Sequence, residues 1–399
     1  MRKKQILIIG GDNGGGSAGD QIMCEAACDF FVKAGFKVYT DAQSLDWQSP
    51  ISGVTTVLQL RKDFYNTKLQ RVIRSFLKLY RIIAFPMFCR TRRSIPFFLH
   101  GNEFKTCFQN SDVILFAGCG GLTDKYPITV LMWWSLIKAA LKCSKPVYIS
   151  GVGIGPIHSS ICRNLIRKII NHVNYITVRD AHVSYDWVKR LSKVDNFDWV
   201  PDDACFYIGN DKYDLPANSS KGRMIGINIM RSAFSSEMLI EAFCHELTSI
   251  GTDTDRFCLI PVTHEDTDIL NQLVKLLSAS RCIVIPPISP SATKHVISQL
   301  DIMISCRYHG CVFGVSQEIP TIGLYAEEYW KDKNNGVLEM FGCANFAFSV
   351  SNITDGDFRN KVIEILDNPE PIKLILNEHL QVLKGKASMV HKMILNNYE

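Results

Sequence analysis

The stretch Asp301–Tyr325, DIMISCRYHGCVFGVSQEIPTIGLY, sets the architecture. Ile302–Ser305 is an apolar run with β-branched residues, the pattern of a buried strand. It stops at Cys306-Arg307-Tyr308-His309-Gly310. A small-residue stretch follows, then Pro320, then a second apolar run. A cation and an imidazole thus stand where a buried strand ends. In open α/β sheets that is where ligands bind, and histidine is the side chain best suited to proton transfer near neutral pH.

The same rhythm runs through the chain. Gln5–Gly10 reads as a strand, Gly11–Gly19 as a glycine loop and Asp20–Ala34 as a helix. Phe36–Tyr39, Val113–Phe116, Pro146–Ser150 and Tyr175–Val178 read as further strands, with helices over Ile128–Leu141 and Ile161–His172. Polar Gly209–Arg223 breaks the pattern and is the expected linker. Strands resume at Met224–Ile229, Arg256–Pro261, Cys282–Pro286, Ile302–Ser305 and Thr321–Leu324. Helices are expected over Ser236–Ser249, Ile269–Ser278 and Ser291–Leu300. Strands alternating with helices of this length predict βαβ units and parallel sheets. The expected fold is α/β, with two Rossmann-like domains, 1–212 and 213–399, facing across a cleft lined by the carboxyl ends of both sheets.

The chain is 399 residues long, 47% hydrophobic and 21% charged, an ordinary globular composition. The apolar Gln5–Gly10 is too short for an export signal, and no apolar stretch reaches the roughly 18 residues of a spanning helix. Fourteen cysteines are scattered without a CxxC; several, such as Cys258, Cys282 and Cys306, lie inside apolar runs. Buried reduced thiols in a cytoplasmic protein are expected. Cys24 and Cys28 have helical spacing, but no second Cys/His pair completes a zinc site. His264-Glu265-Asp266 fits a helix start better than a metal cluster. No metal and no cofactor is expected.

The net charge is +5, yet Lys68–Arg93 holds eight Lys/Arg and no acid, which leaves −3 on the rest. That distribution does not suit a nucleic-acid binder. Within the basic segment 68–99, Arg71, Arg74, Lys78 and Arg81 recur at helical spacing, and Leu69, Ile73, Phe76, Leu77, Tyr80 and Ile83 fill the other side. One reading is a solvated cationic helix packed on the sheet. The other is peripheral contact of 68–93 with the inner face of a membrane.

Glycine clusters follow three strands: Gly14, Gly15, Gly16 and Gly19; Gly118, Gly120 and Gly121; Gly151, Gly153 and Gly155. Glycine lets backbone amides approach an anion closely. None matches the dinucleotide or P-loop fingerprints. Polar strand-end residues include Asp20, Asp124, Arg179, Asp180, Arg231, His264, Glu265, Asp266, Arg307, His309 and Lys333. Several cations at one cleft predict a polyanionic ligand, because uncompensated burial of charge is costly.

These residues resemble the polysaccharide pyruvyl transferase family. The likeness runs through Gly19-Asp20, Gly118–Gly121, Ser150–Pro156, Ile176–Asp180, Pro201–Ala204 and Ile225–Asn228, and is strongest at Ser305–Gly310 through Pro320, with Tyr329–Lys333 beyond. The chain departs from it at Tyr308, where members often carry Leu. The resemblance implies a fold like that of the B-type glycosyltransferases, phosphoenolpyruvate as donor and a sugar diol as acceptor. The family's acid falls on His309 and its donor-linked arginine on Arg179. Lys333, Arg307 and Arg231 are further candidates to hold the donor, with the loops at Gly15, Gly16, Gly120, Gly121 and Gly153. Asp20 or Asp180 would accept the acceptor's proton. The partners so implied are phosphoenolpyruvate and a glycan or lipid-linked oligosaccharide. A nucleotide-sugar glycosyltransferase on a similar fold and a non-catalytic membrane-surface scaffold are the alternatives. The oligomeric state is not readable.

Overall fold

The computed structural model describes residues 2–10, 12–44, 46–60, 70–91, 94–96, 101–216 and 222–398, with 70–74 as backbone only. Gly11 of the first loop, Lys68, Leu69, Arg92, Arg93 and 97–100 of the basic segment, and 217–221 of the expected linker lie outside them. The chain divides into two compact units. Unit 1 comprises Met1–Gly15, Met23–Asp203 and Ser388–Glu399; unit 2 comprises Gly16–Ile22 and Ala204–Ala387. The break thus falls at 203/204, against the 212/213 read from composition, and each unit contains a segment from the far end of the chain.

Unit 1 runs β1 (Gln5–Ile9), α1 (Ala18–Lys33, whose first turn lies in unit 2), β2 (Lys37–Ala42), β3 (Val54–Leu58), α2 (Gln70–Phe88), α3 (Asn102–Asn110), β4 (Val113–Phe116), α4 (Pro127–Lys142), β5 (Val147–Val152), α5 (Ser160–Ile170), β6 (Tyr175–Val178), α6 (Val183–Leu191) and β7 (Phe197–Trp199). Its strands are parallel in the order β3-β2-β1-β4-β5-β6-β7. β4 and β5 are buried at every position because helices cover both faces of the sheet, which is why they read as continuous apolar runs. One face packs under α2, α4 and α5, with Trp133 against Phe116 at 4.5 Å. On the other, Val390 and Ile394 of a last helix, α14 (Met389–Asn396), join Phe31 and Cys28. Buried His391 of α14 lies 3.7 Å from Asp203, which accepts the Ser150 hydroxyl at 3.0 Å. Burial drives the Asp203 carboxyl up and the His391 imidazole down, so this pair leans toward its neutral forms.

α2 corrects an expectation. Its core-facing strip is Ile82 and Phe85, continued by Cys89 just beyond the helix, and Arg81 goes inward with it, only 2% exposed. Phe76, Tyr80, Ile83 and Met87 point to solvent instead. The reading as a solvated cationic helix packed on the sheet puts the side at Arg81 outside and the apolar side inside, and it is this reading that the structure reverses. The strip spaced 82, 85, 89 completes the core under α4, and the Arg81 stem is apolar enough to follow it.

Unit 2 runs β8 (Met224–Asn228), α7 (Glu237–Ile250), β9 (Arg256–Leu259), α8 (Thr267–Leu276), β10 (Cys282–Val284), α9 (Pro290–Ile297), β11 (Ile302–Ser305), α10 (Tyr308–Val315), β12 (Thr321–Tyr325), α11 (Glu328–Met340), β13 (Ala347–Ser349), α12 (Asp357–Asp367) and α13 (Glu370–Lys384). These strands too are parallel, ordered β10-β9-β8-β11-β12-β13. Each sheet therefore reverses its winding once, between β1 and β4 and between β8 and β11. Buried Lys294 of α9 seats the start of the unit by donating to the carbonyls of Ala204, Cys205 and Tyr207 at 2.7–3.0 Å. All fourteen cysteines are free thiols, twelve of them buried.

Just before β8 and β9, the Arg223 side chain forks onto Asp255, which also accepts the backbone N–H of Arg223 and Thr252. Burial alone would raise the Asp255 carboxyl; the donors outweigh it and hold it at about 2, below its ordinary 3.8. A depressed carboxylate contributes stability that is present above about pH 4 and lost as the pH falls toward 2. Urea unfolding should therefore show a shallower loss of stability across that window in Asp255→Asn than in the wild type. Parallel curves would disprove the assignment.

Candidate active site

The switch point of unit 2 lies where β8 ends at Asn228 and β11 ends at Ser305, neighbours in the sheet. Such a point leaves a crevice at the strands' carboxyl ends. Here it is laced with buried polar groups. Ser305 Oγ donates to Asn228 Oδ1 at 3.2 Å and to the Arg307 carbonyl at 2.9 Å, and Arg307 N–H donates to Ser305 Oγ. Asn228 Nδ2 donates to Asp266 at 2.9 Å. Asp266 also takes the backbone N–H of Val262 and Thr263 and two bonds from the Arg307 guanidinium, at 3.0 and 2.7 Å. Burial alone would lower the Arg307 guanidinium, but Asp266 reverses this and raises it. His264-Glu265-Asp266 proves to be a capping turn, closed reciprocally by Thr263 and Asp266. Among the described residues no group of three or more His, Cys, Asp or Glu is placed to hold a metal.

Arg307 caps α10, so His309 falls in that helix's first turn, where the dipole is positive. The imidazole is 7% exposed, edge-on to Tyr308 at 5.0 Å and tilted against Phe313 at 6.1 Å. Its other neighbour comes from the far end of the sequence. Gly16–Ile22 belongs to this unit: Ser17 bridges to Thr263, Ala18 N–H donates to the Val262 carbonyl, and His264 N–H to that of Gly16. This brings Gly19 onto the His309 ring so closely that a Cβ there would lie 1.7 Å from the imidazole Cγ. Asp20 follows, half-buried, with its N–H on Ser17 Oγ. A small pocket of ≈ 50 Å³ opens beside the loop between Gly16, Gln21, Thr263, His264 and Pro290.

Gly19 predicts a sharp effect. Gly19→Ala should push the imidazole aside. A displacement of about 1 Å costs a catalytic group roughly 100-fold, while the fold, with the added methyl buried in the first turn of α1, should lose about 1–3 kcal/mol. Steady-state turnover with a thermal melt checks both; near-normal turnover would show that the ring position does not matter.

Lys333 of α11 donates to the Tyr329 hydroxyl and lies 4.1 Å from the Tyr329 ring centre and 5.3 Å from that of Trp330; Arg307 Cζ lies 5.8 Å from the same Trp330 ring. Trp330 is thus flanked by both cations. Arg231, by contrast, is half exposed and tied to Gln272 and Glu237 beside α7 and α8. Sequence reasoning did not assign roles to Asn228 or Asn334, and read Asp266 only as part of a helix start. Asn334, fully buried, donates to the carbonyls of Cys306 and Leu324 and fastens α11 to the ends of β11 and β12. A buried strand ending in Asn, as Met224–Asn228 does, was the available signal.

In unit 1 the remaining candidates form their own cluster. Arg179, at the end of β6, is 2% exposed and paired with fully buried Asp202 at 3.2 Å. Its guanidinium lies against Gly153, where a Cβ would come within 3.1 Å of Nε, and the same Cβ would lie 3.4 Å from Gly120 Cα. Gly121 packs beside Thr129 and Cys119, and Gly15 closes a tight turn on the Asp12 carbonyl. Asp180 accepts the Ser184 N–H at 2.8 Å and so caps the first turn of α6.

A sequence profile of polysaccharide pyruvyl transferases matches residues 18–328, from the start of α1 to the start of α11, leaving only β1 and β13 of the two sheets outside it. The chain belongs to the polysaccharide pyruvyl transferase family. Membership places this pyruvyl transferase family protein among transferases that modify polysaccharides. A search of curated protein sequences found no match. Among solved structures it is similar to the glycotransferase of kitacinnamycin, at 11% identity and a TM-score of 0.62 over 100% of this chain and 99% of that one. It is also similar to Anabaena HepE in complex with UDP and glucose, at 9% identity and 0.59 over 99% of each. The third is a putative UDP-N-acetylglucosamine 2-epimerase from Listeria monocytogenes, at 11% and 0.59 over 94% and 91%. At such identities the likeness establishes the two-domain Rossmann-like fold of B-type glycosyltransferases and epimerases.

Proposed function

We propose that the protein transfers a pyruvyl group from phosphoenolpyruvate to two hydroxyls of one sugar in a cell-surface glycan or its lipid-linked precursor, in the cytoplasm. The observation that carries this reading is His309, held in the first turn of α10 with the Gly19 backbone against its ring. The imidazolium gives its proton to the methylene carbon of the enol phosphate, leaving an oxocarbenium-like centre at C2. One sugar hydroxyl attacks C2 and loses its proton to a base. The second hydroxyl then displaces phosphate, its proton leaves with the departing group, and the ketal closes. Phosphoenolpyruvate and diol are consumed; ketal and inorganic phosphate are produced.

Asp20 is the better base, since it adjoins Gly19 in the same unit, whereas Asp180 is engaged in capping α6. Lys333 and Arg307, both against the Trp330 ring, are the cations assigned to the donor's phosphate and carboxylate. Arg179, sealed against Asp202, is assigned to positioning the Gly120 and Gly153 loops.

The test is a reaction in D2O. Purified protein, phosphoenolpyruvate and candidate glycans should release phosphate in step with a ketal whose methyl group is CH2D, because the added hydron comes from solvent through His309. Stabilisation and turnover with a nucleotide sugar, and none with phosphoenolpyruvate, would overturn the proposal.

A further inference from the structure

The outward stripe of α2 does not belong to the site described above. Phe76, Tyr80, Ile83 and Met87 are 70%, 57%, 57% and 67% exposed. Their spacing of four, three and four residues puts them on one line along the helix. More than half of each side chain is free, so the stripe protrudes and does not line a groove that could receive a partner's side chains.

Its surroundings are of one charge. α2 packs beside α4 and α4 beside α5 on one face of the unit 1 sheet. The sequences of these three helices contain nine Lys/Arg and no Asp or Glu. Lys138, Lys142, Arg163, Arg167 and Lys168 on α4 and α5 are exposed, as is Arg90 just beyond α2. Leu141 and Ile161 add exposed apolar surface among them. Among the described residues no helix is long and apolar enough to cross a membrane.

We infer that this helical face docks on an anionic lipid bilayer, with the α2 stripe entering the headgroup region and the α4–α5 cations lying on the charged surface. A protruding apolar line suits a fluid interface, which closes around it. An acid-free cationic field suits anionic headgroups, whose attraction grows with each Lys or Arg near the surface. The inference does not depend on the pyruvyl reading, since it concerns no residue of that site.

Vesicle flotation tests it, using phosphatidylcholine alone and phosphatidylcholine mixed with an equal amount of phosphatidylglycerol. The full chain should float with the anionic vesicles, stay behind with the neutral ones, and be released by high salt. Phe76→Ser/Ile83→Ser/Met87→Ser should weaken binding by about tenfold or more, with its melting temperature and its turnover on a water-soluble acceptor unchanged. Lys138→Glu/Lys142→Glu/Lys168→Glu, which alters only exposed side chains, should do the same if the triple serine variant misfolds. Equal binding to both vesicle types, or undiminished binding by a folded variant of either kind, would overturn the inference. So would self-association of the lipid-free protein that the serine substitutions abolish, because a second copy would then cover the stripe.

Discussion

His309→Ala should reduce the proposed pyruvyl transfer by about 100- to 10,000-fold, the usual contribution of a positioned general acid, the role proposed for this ring, or roughly 3–5 kcal/mol of transition-state stabilisation. Two features place the loss in the chemical step. The ring packs against Tyr308, Phe313 and the Gly19 backbone, and the bonds that join Asn228, Asp266 and Arg307 do not run through it, so its removal leaves that lattice in place. Removing an acid that acts only in the transition state lowers kcat while KM for phosphoenolpyruvate stays near its starting value. His309→Gln, which keeps hydrogen-bonding capacity but cannot deliver a proton, should be nearly as slow. The check is steady-state phosphate release, with a thermal melt to establish folding. A folded His309→Gln protein with close to full kcat would transfer the acid's role to another group.

Asp266→Ala should be the most destabilising single substitution at the site, by about 3–5 kcal/mol. The carboxylate is completely buried and accepts five bonds, from Asn228, Val262, Thr263 and twice from Arg307. Its removal orphans an amide, opens the turn before α8 and strands the Arg307 guanidinium, whose second acid, Glu265, is largely exposed at 3.5 Å. Arg307→Met should cost a similar amount for the converse reason, since it leaves a buried carboxylate without its cation. The two losses should not add. In Asp266→Ala/Arg307→Met neither charge is left uncompensated, so the double variant should be more stable than the sum of its single changes predicts. Urea midpoints for the four proteins of this cycle decide the matter. Strict additivity would mean that Arg307 and Asp266 are held independently.

This network also shows how far the sequence could be read. Strands buried on both faces announced themselves: Val113–Phe116, Tyr175–Val178 and Ile302–Ser305 occur with the bounds that their apolar runs imply. The short edge strands β3, β7 and β13 left little trace, since only partial burial is asked of most of their residues. α10 was invisible for the opposite reason. All eight of its residues are buried, so it carries no polar face and no helical period.

The one-dimensional pattern was sufficient for the alternation of central strands and helices, the division into two parallel α/β halves and the family. Each of these follows from local periodicity and short motifs that any chain with these residues must display. It also placed Arg307 and His309 at a strand's end, because a strand's end is a local property. Partnership was decided only in three dimensions. Gly19 meets His309, 290 positions further along the chain, because Gly16–Ile22 folds with unit 2. Arg307 is neutralised by Asp266, and Asp180 is drawn into a helix cap. The arginine of α2 turns inward while its aromatic stripe turns out. Helical spacing fixes which residues share a face, but which face is buried depends on the neighbour it packs against, and that neighbour is supplied by distant sequence.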